Sequence, residues 1–334
     1  MEDFYKVSAE KLSMSLRNFR SIIQARGWKN AKYTKSIGTW TCISAERADG
    51  KEIRFYYGTP PTMSYGAGML SDDKYTSYIL MKEIGIKQPE TLCVDNDTDE
   101  EVIIRFIEKN APVVIKPIDG AHGQDVYTGI MDWENAKLLI EKVFKKSFSG
   151  FALIQKQLKP KSYETRVICI DYKFVKAFAR IPACVTGDGK HSVLELIDIE
   201  NSTKRTAQYK SNLSYINKEN AVMYLKKQAL DNGLSEDTLL SSVPDSGIKV
   251  QVIGICNTGQ GGTMEDVSDV FSPELKDVAE RIAKHLHLPL VGVDFLDDNV
   301  IEVNKAPALY HPVDGDASTV CIEKFVDYLE KIPA

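Results

Sequence analysis

Three short stretches of this chain hold residues whose types and spacing could do chemistry. In 291–311, two apolar runs flank Asp297-Asp298-Asn299, a cluster of turn formers that predicts a β-hairpin with strands near 291–296 and 300–304. Counting outward from the turn sets Leu296 opposite Val300 and Asp294 opposite Glu302. Side chains alternate along a strand, so Asp294, Glu302 and Asn304 share one face, and Val293, Phe295, Ile301 and Val303 the other. Facing carboxylates repel. A hard divalent cation reverses that sign, and oxygen ligands with places left for phosphate and water suit Mg2+. A solvated acidic hairpin is the open alternative.

The second stretch is Val113-Val114-Ile115-Lys116-Pro117, an apolar strand whose one charge comes late, followed by the glycine-containing loop from Asp119 to Val126. An ammonium beside free backbone amides can cradle phosphate, although a plain strand and turn has the same pattern. The third is Asn257-Thr258-Gly259-Gln260-Gly261-Gly262, open enough for close approach to an anion or simply a flexible turn. No G-x-x-x-x-G-K-[ST] occurs anywhere in the chain.

The elements that position these stretches can be read coarsely. A helix is predicted over 8–26, from Leu12, Leu16, Phe19, Ile22 and Ile23, then a strand pair around 38–57 and a boundary at Gly58-Thr59-Pro60-Pro61. A helix opening at Ser71-Asp72-Asp73-Lys74 runs to Gly85, strands follow at 151–155, 164–170 and 175–180, and a polar stretch extends to 220. A helix ending near Leu286 to Pro289 feeds the hairpin. The 334 residues exceed what one core usually serves. We divide them into 1–69, an N-terminal domain expected to help bind a substrate; 70–158; and 159–334. A net charge of −5 argues against nucleic-acid binding by bulk positive charge. No apolar run approaches a bilayer span, the N-terminus lacks a signal-peptide pattern, and the six cysteines are scattered, so a cytoplasmic protein with reduced thiols is expected.

Taken in order, the motifs resemble the ATP-grasp ligases, most closely the ATP-grasp portion of cyanophycin synthetases and bifunctional glutathione synthetases. The resemblance rests on Val114 to Pro117 with Asp119 to Gly123, Glu164-Thr165-Arg166-Val167, Arg180-Ile181-Pro182-Ala183, and Gly187 to Val193. It continues through Asn257 to Gly262 with Asp266, Gly292-Val293-Asp294 and Ile301-Glu302-Val303-Asn304. It implies an α+β ATP-grasp fold in which two α+β subdomains clasp ATP. Gln155, Lys156, Gln157 and Leu158 would form the hinge at adenine, with Glu164 near the ribose. Lys116 and Lys74 would hold phosphate, and the loop with Gly120, His122 and Gly123 would close over it. Asp294, Glu302 and Asn304 would hold Mg2+ (two ions, with Mn2+ as a substitute). Arg166, Arg180, Asn257, Gly261, Gly262 and Lys305 would meet the substrate, with Arg180, Lys116 and Asn257 as the catalytic set.

The implied reaction is amide-bond formation between a small-molecule carboxylate and an amine, each an amino acid or short peptide, with ATP spent to ADP and phosphate through an acyl phosphate. A phosphotransferase and a non-catalytic nucleotide-binding protein stay open as alternatives. Three places depart from the family pattern: Tyr78 stands where relatives carry a second phosphate lysine, Gln124-Asp125 where they have arginine and glycine, and Lys305-Ala306-Pro307-Ala308 where small residues and then Pro-Gly usually follow. The second catalytic modules of the closest relatives do not fit in this length, so a stand-alone ligase is expected, with no nucleic-acid or membrane partner and a homodimer as the default assembly.

Overall fold

A computed structural model describes residues 1–35, 41–120, 125–206, 215–254, 261–311, 313 and 319–333. The chain opens with β1 (Glu2–Asp3), α1 (Met14–Ala25), β2 (Lys29–Lys35), β3 (Thr41–Glu46) and β4 (Glu52–Tyr56), the strands pairing antiparallel in that order. Ser13 caps α1 by accepting from the Leu16 amide, so the expected helix over 8–26 is a short 3-10 turn followed by a later start. The strand β2 is an addition to the expected pair.

Leu16, Phe19 and Ile23 form the buried stripe of α1, over Ile43, Ile53 and Phe55 of the sheet. The same core takes in Phe325 and Leu329 of the C-terminal helix, so residues 1–69 do not have a core of their own. Arg47, 2% exposed, ties the two ends of the chain together. Its Nη1 donates to the Leu329 and Ile332 carbonyls, 2.7 Å each, at the end of that helix, where unpaired carbonyls attract a cation.

The next elements are α2 (Tyr65–Asp72) and α3 (Lys74–Glu83), with Asp73 ending the first and capping the second through the Tyr75 and Thr76 amides. The boundary expected at residue 69 therefore falls inside a helix. A small α+β subdomain follows: β5 (Thr91–Val94), α4 (Glu100–Asn110), β6 (Val113–Pro117), β7 (Tyr127–Ile130), α5 (Trp133–Lys146) and β8 (Ala152–Lys156). Its antiparallel sheet runs β5-β8-β6-β7, and Ile103, Ile107, Ile140 and Val143 of the helices close its core.

The larger subdomain begins with β9 (Thr165–Ile170) and β10 (Lys173–Ile181), joined across Asp171 and Tyr172, both at positive φ. Then come β11 (Cys184–Thr186), α6 (Val193–Thr206), α7 (Lys218–Asp231), α8 (Thr238–Ser241) and β12 (Lys249–Gln251), which enclose a separate core around Val193, Ile197, Leu225 and Val252. The polar stretch expected up to 220 thus contains a helix. Its start is a capping box, the Ser192 amide donating to Glu195 and the Glu195 amide to the Ser192 hydroxyl.

The chain closes with β13 (Thr263–Asp266), α9 (Pro273–His285), β14 (Leu290–Leu296), β15 (Asn299–Asn304) and α10 (Val320–Lys331). The central antiparallel sheet is ordered β13-β10-β9-β14-β15. On one face Val167, Cys169, Ala177 and Val293 pack against Ala279 and Ile282 of α9. On the other, Ile168, Ile170, Phe178 and Leu290 pack toward α10 and the N-terminal sheet. Further along this second face the alternation presents Arg166, Arg180 and Asp294 in place of apolar side chains. No helix among the described residues is long and apolar enough to cross a membrane.

Candidate functional site

The β14–β15 hairpin sets the geometry. Asp294 pairs with Glu302 on one side and with Arg166 of β9 on the other. Directly opposed residues share a face, so Arg166, Asp294 and Glu302 form one row across three strands. The expected register holds there and shifts toward the turn: Phe295 faces Val300 and Leu296 faces Asn299. A tight turn at Asp297-Asp298, with Asp297 at φ +53°, draws Asn299 into the strand. The surplus residue, Ile301, is absorbed as a bulge. Val300, not Ile301, therefore takes the buried apolar place.

Asp294 is 1% exposed. Arg166 grips it with two hydrogen bonds, Nε to Oδ1 at 2.7 Å and Nη2 to Oδ2 at 2.6 Å. Asn304 Nδ2 donates to the same Oδ2 at 3.2 Å, and Arg180 Nη1 stands 3.5 Å from it. Burial alone would raise the Asp294 carboxyl, but the adjacent Arg166 guanidinium overrides it and holds the group below the usual carboxylate range. Gly292 leaves room for this arrangement: a Cβ there would sit 3.5 Å from Arg166 Cδ and 2.9 Å from Pro307 Cβ. Arg180 itself is clamped by Glu164. Burial and the Asp294 charge raise the Glu164 carboxyl, outweighing Arg180. Glu164, expected near the ribose, thus serves as the partner of Arg180.

Across the cleft, Lys116 near the end of β6 donates to Gln155 Oε1 at 3.2 Å, and Gln155 Nε2 donates to Thr91 at 2.8 Å. Burial, helped by nearby Lys74, pushes the Lys116 ammonium down to about 8, against the pull of Glu302 and Glu164. Lys74, Tyr78, Lys116, Gln155 and Glu302 line one pocket between the two subdomains. Lys74 bonds the Gly120 carbonyl and lies 3.7 Å from Glu302, so it links the small subdomain's loop to the large sheet. Lys82, about two turns further along α3, is 58% exposed in its side chain and sits at Glu90 and the Tyr78 hydroxyl.

At the hinge, the Lys156 amide donates to Glu90 and the Gln157 amide to Pro112, while Gln157 Oε1 accepts from the Gly129 amide. Leu158 is half-buried. Asp125, which would otherwise put negative charge near bound phosphates, is paired with Lys146. Lys305 is not among the cleft residues; its ammonium pairs with Asp72 at the end of α2 and lies over Gly68. Gly261 has φ +95°, and a Cβ there would come within 2.9 Å of the Ile216 backbone, with Gly262 leading directly into β13. His122, Gly123 and Asn257 lie outside the described residues.

One residue at this end of the sheet escaped the sequence reading. His311 is fully buried, its ring stacked on Phe178 at 3.9 Å between centroids, and among the described residues neither ring nitrogen has a hydrogen-bond partner. Burial, then Arg166 and Arg180, push its imidazole down to about 3. It follows an irregular segment after Asn304, where no periodicity marks a buried position.

Asp294, Glu302 and Asn304 present two carboxylates and one amide on adjacent strands, with Glu302, 39% exposed in its side chain, at the shared cleft. That is a hard-oxygen donor set supplying part of a coordination shell, and it fits Mg2+ bound together with phosphate. Among the described residues no group of three His, Cys, Asp or Glu side chains is placed to hold a metal.

Residues 79–218 match the family of the prokaryotic glutathione synthetase ATP-grasp domain. The cyanophycin synthetase of Crocosphaera subtropica is 30% identical over 290 residues, covering 80% of this chain and 32% of that protein. The glutathione biosynthesis bifunctional protein of Clostridium perfringens is 27% identical over 280 residues, covering 79% and 34%. The chain thus spans about a third of the length of these curated relatives. Among solved structures, a bifunctional glutathione synthetase from Pasteurella multocida shares the fold with a TM-score of 0.62 and 20% identity, over 96% of this chain and 43% of that one.

Proposed function

We propose, from the premise that this chain belongs to the ATP-grasp ligase superfamily and has its α+β fold, that it is an ATP-dependent carboxylate–amine ligase. The observation that carries the reading is the Arg166–Asp294–Glu302 row, whose outer carboxylate shares a cleft with Lys116 and Lys74. Two ammonium groups face that cleft from the small-subdomain side and from α3, and two guanidiniums lie in the large sheet. That distribution suits a reaction in which negative charge passes from nucleotide to substrate.

In this reading ATP lies between the subdomains, its adenine at Gln155 to Leu158 and its phosphates at Lys116 and Lys74. Asp294, Glu302 and Asn304 would hold Mg2+, which supplies positive charge to the β- and γ-phosphates when bound. The substrate carboxylate attacks the γ-phosphorus; the bond from that phosphorus to the β-phosphate oxygen breaks, and ADP leaves. Arg180 stabilises the charge that builds on the acyl phosphate. The amine nitrogen then attacks the carbonyl carbon and loses a proton as phosphate departs. Water would consume the acyl phosphate, so exclusion of solvent is assigned to the glycine-containing stretch that begins at Gly120, the residue whose carbonyl Lys74 bonds.

The relatives are named for making glutathione and cyanophycin, and on that basis the substrates here are amino acids or short peptides. The test is trapping: amino acids offered singly with ATP, Mg2+ and hydroxylamine should yield a hydroxamate together with ADP. ADP released alongside a stable phosphorylated product, with no hydroxamate, would instead assign a phosphotransferase.

A further inference from the structure

Each of the three carboxylates at the end of the central sheet is already matched with a basic side chain of this chain. Asp294 is paired with Arg166, Glu302 with Lys74 and Glu164 with Arg180. The first pair is bidentate, on a carboxylate that is 1% exposed. A carboxylate so buried cannot persist without a counter-charge, and the planar guanidinium satisfies both oxygens at once. Yet Asp294 is also one of the three oxygen ligands assigned to the cation. A guanidinium and a divalent cation a few ångströms apart on one buried carboxylate repel strongly at low dielectric. Asn304, another assigned ligand, likewise turns its NH2 group toward Asp294. Basic groups of this chain thus already balance the charge of both carboxylates assigned to the cation.

We infer that Arg166 competes with the cation for Asp294. An anion that draws the guanidinium away from the carboxylate would favour the cation, so cation loading is coupled to the binding of phosphate or carboxylate. The inference rests on the ligase reading only through the assignment of Asp294 as a cation ligand.

The test uses Mn2+ alone, followed by electron paramagnetic resonance in the full-length protein without nucleotide. Arg166→Met should bind one Mn2+ at least ~10-fold more tightly than wild type, because a repelling charge has left the site. Arg166→Lys keeps a positive charge without the fork. It should fall between the two, and it serves if the methionine variant does not fold. Adding Asp294→Asn to either variant should abolish the gain. Mn2+ affinity in Arg166→Met and Arg166→Lys equal to or below that of wild type, with binding still dependent on Asp294, would overturn the inference and make Arg166 a residue that merely orients the carboxylate. No Asp294-dependent Mn2+ binding in any variant would remove the cation assignment itself and the inference with it.

Discussion

Lys116→Met removes one ammonium from the cleft and leaves a stem of similar length. Burial, then Lys74, push this group down to about 8. Nucleotide phosphates favour the charged form, so affinity should be flat below that pH and fall about tenfold for each pH unit above it. Between roughly pH 7 and pH 9 the charged fraction drops from about nine-tenths to about one-tenth, while phosphate ionisation no longer changes much. Wild type should therefore bind ADP with Mg2+ about tenfold more weakly at the higher pH. The methionine variant should bind weakly at both and show no such step.

Stability should move the other way. The unfolded chain holds this proton up to its ordinary pKa of 10.5 and the folded chain only to about 8. The group therefore disfavours the folded state at neutral pH and relents as pH rises between those values. Lys116→Met should then unfold at a temperature no lower than wild type near neutrality. Isothermal titration with ADP across the pH range, paired with thermal melts, reads both effects. A variant that keeps the wild-type pH step, or binds ADP within a few-fold of wild type, would take Lys116 out of the nucleotide site.

Three further outcomes follow from the same geometry. Arg47→Ala leaves the Leu329 and Ile332 carbonyls without their buried cation and should cost about 3 kcal/mol in urea unfolding, close to what breaking a buried charged contact costs elsewhere. His311 is depressed from 6.5 to about 3, so the unfolded chain takes up its proton first on acidification. Wild type should lose about 2 kcal/mol between neutrality and pH ~5 that His311→Phe, which keeps the stack on Phe178, does not lose; equal acid sensitivity in the two proteins would contradict the buried neutral imidazole. Asp294→Asn and Glu302→Gln should each abolish the Mg2+ dependence of ADP binding, whereas Lys82→Met, altering a lysine that faces Glu90, should change it less than about twofold.

What the sequence could disclose was mostly local. Asp294 opposite Glu302 was legible only in part: counting from a three-residue turn gives that pair, whereas the turn is one residue shorter and the unforeseen bulge at Ile301 restores the register. The cap at Asp73 and the buried strand ending near Lys116 were readable for the same reason. The grip of Arg166 on Asp294 was not, since 128 residues separate them and only the order of strands in the sheet brings them together. The Arg47 contact with the last helix, 282 residues away, is hidden in the same way. The helices between β11 and β12 were a different failure: the Ser192–Glu195 capping box was present but went unread in a polar stretch. Lys305 was expected at the site because it follows Asn304, yet the strand ends there and the side chain turns to Asp72 on α2.

The central claim is that ATP is spent to join a carboxylate to an amine. Pairs of amino acids and dipeptides incubated with ATP and Mg2+, with products weighed by mass spectrometry, test it most directly. The account predicts ADP release that requires both partners and a product weighing their sum less one water, absent in Asp294→Asn. ADP release that needs no amine, or no ADP release with any pair under conditions where ADP is bound, would contradict it.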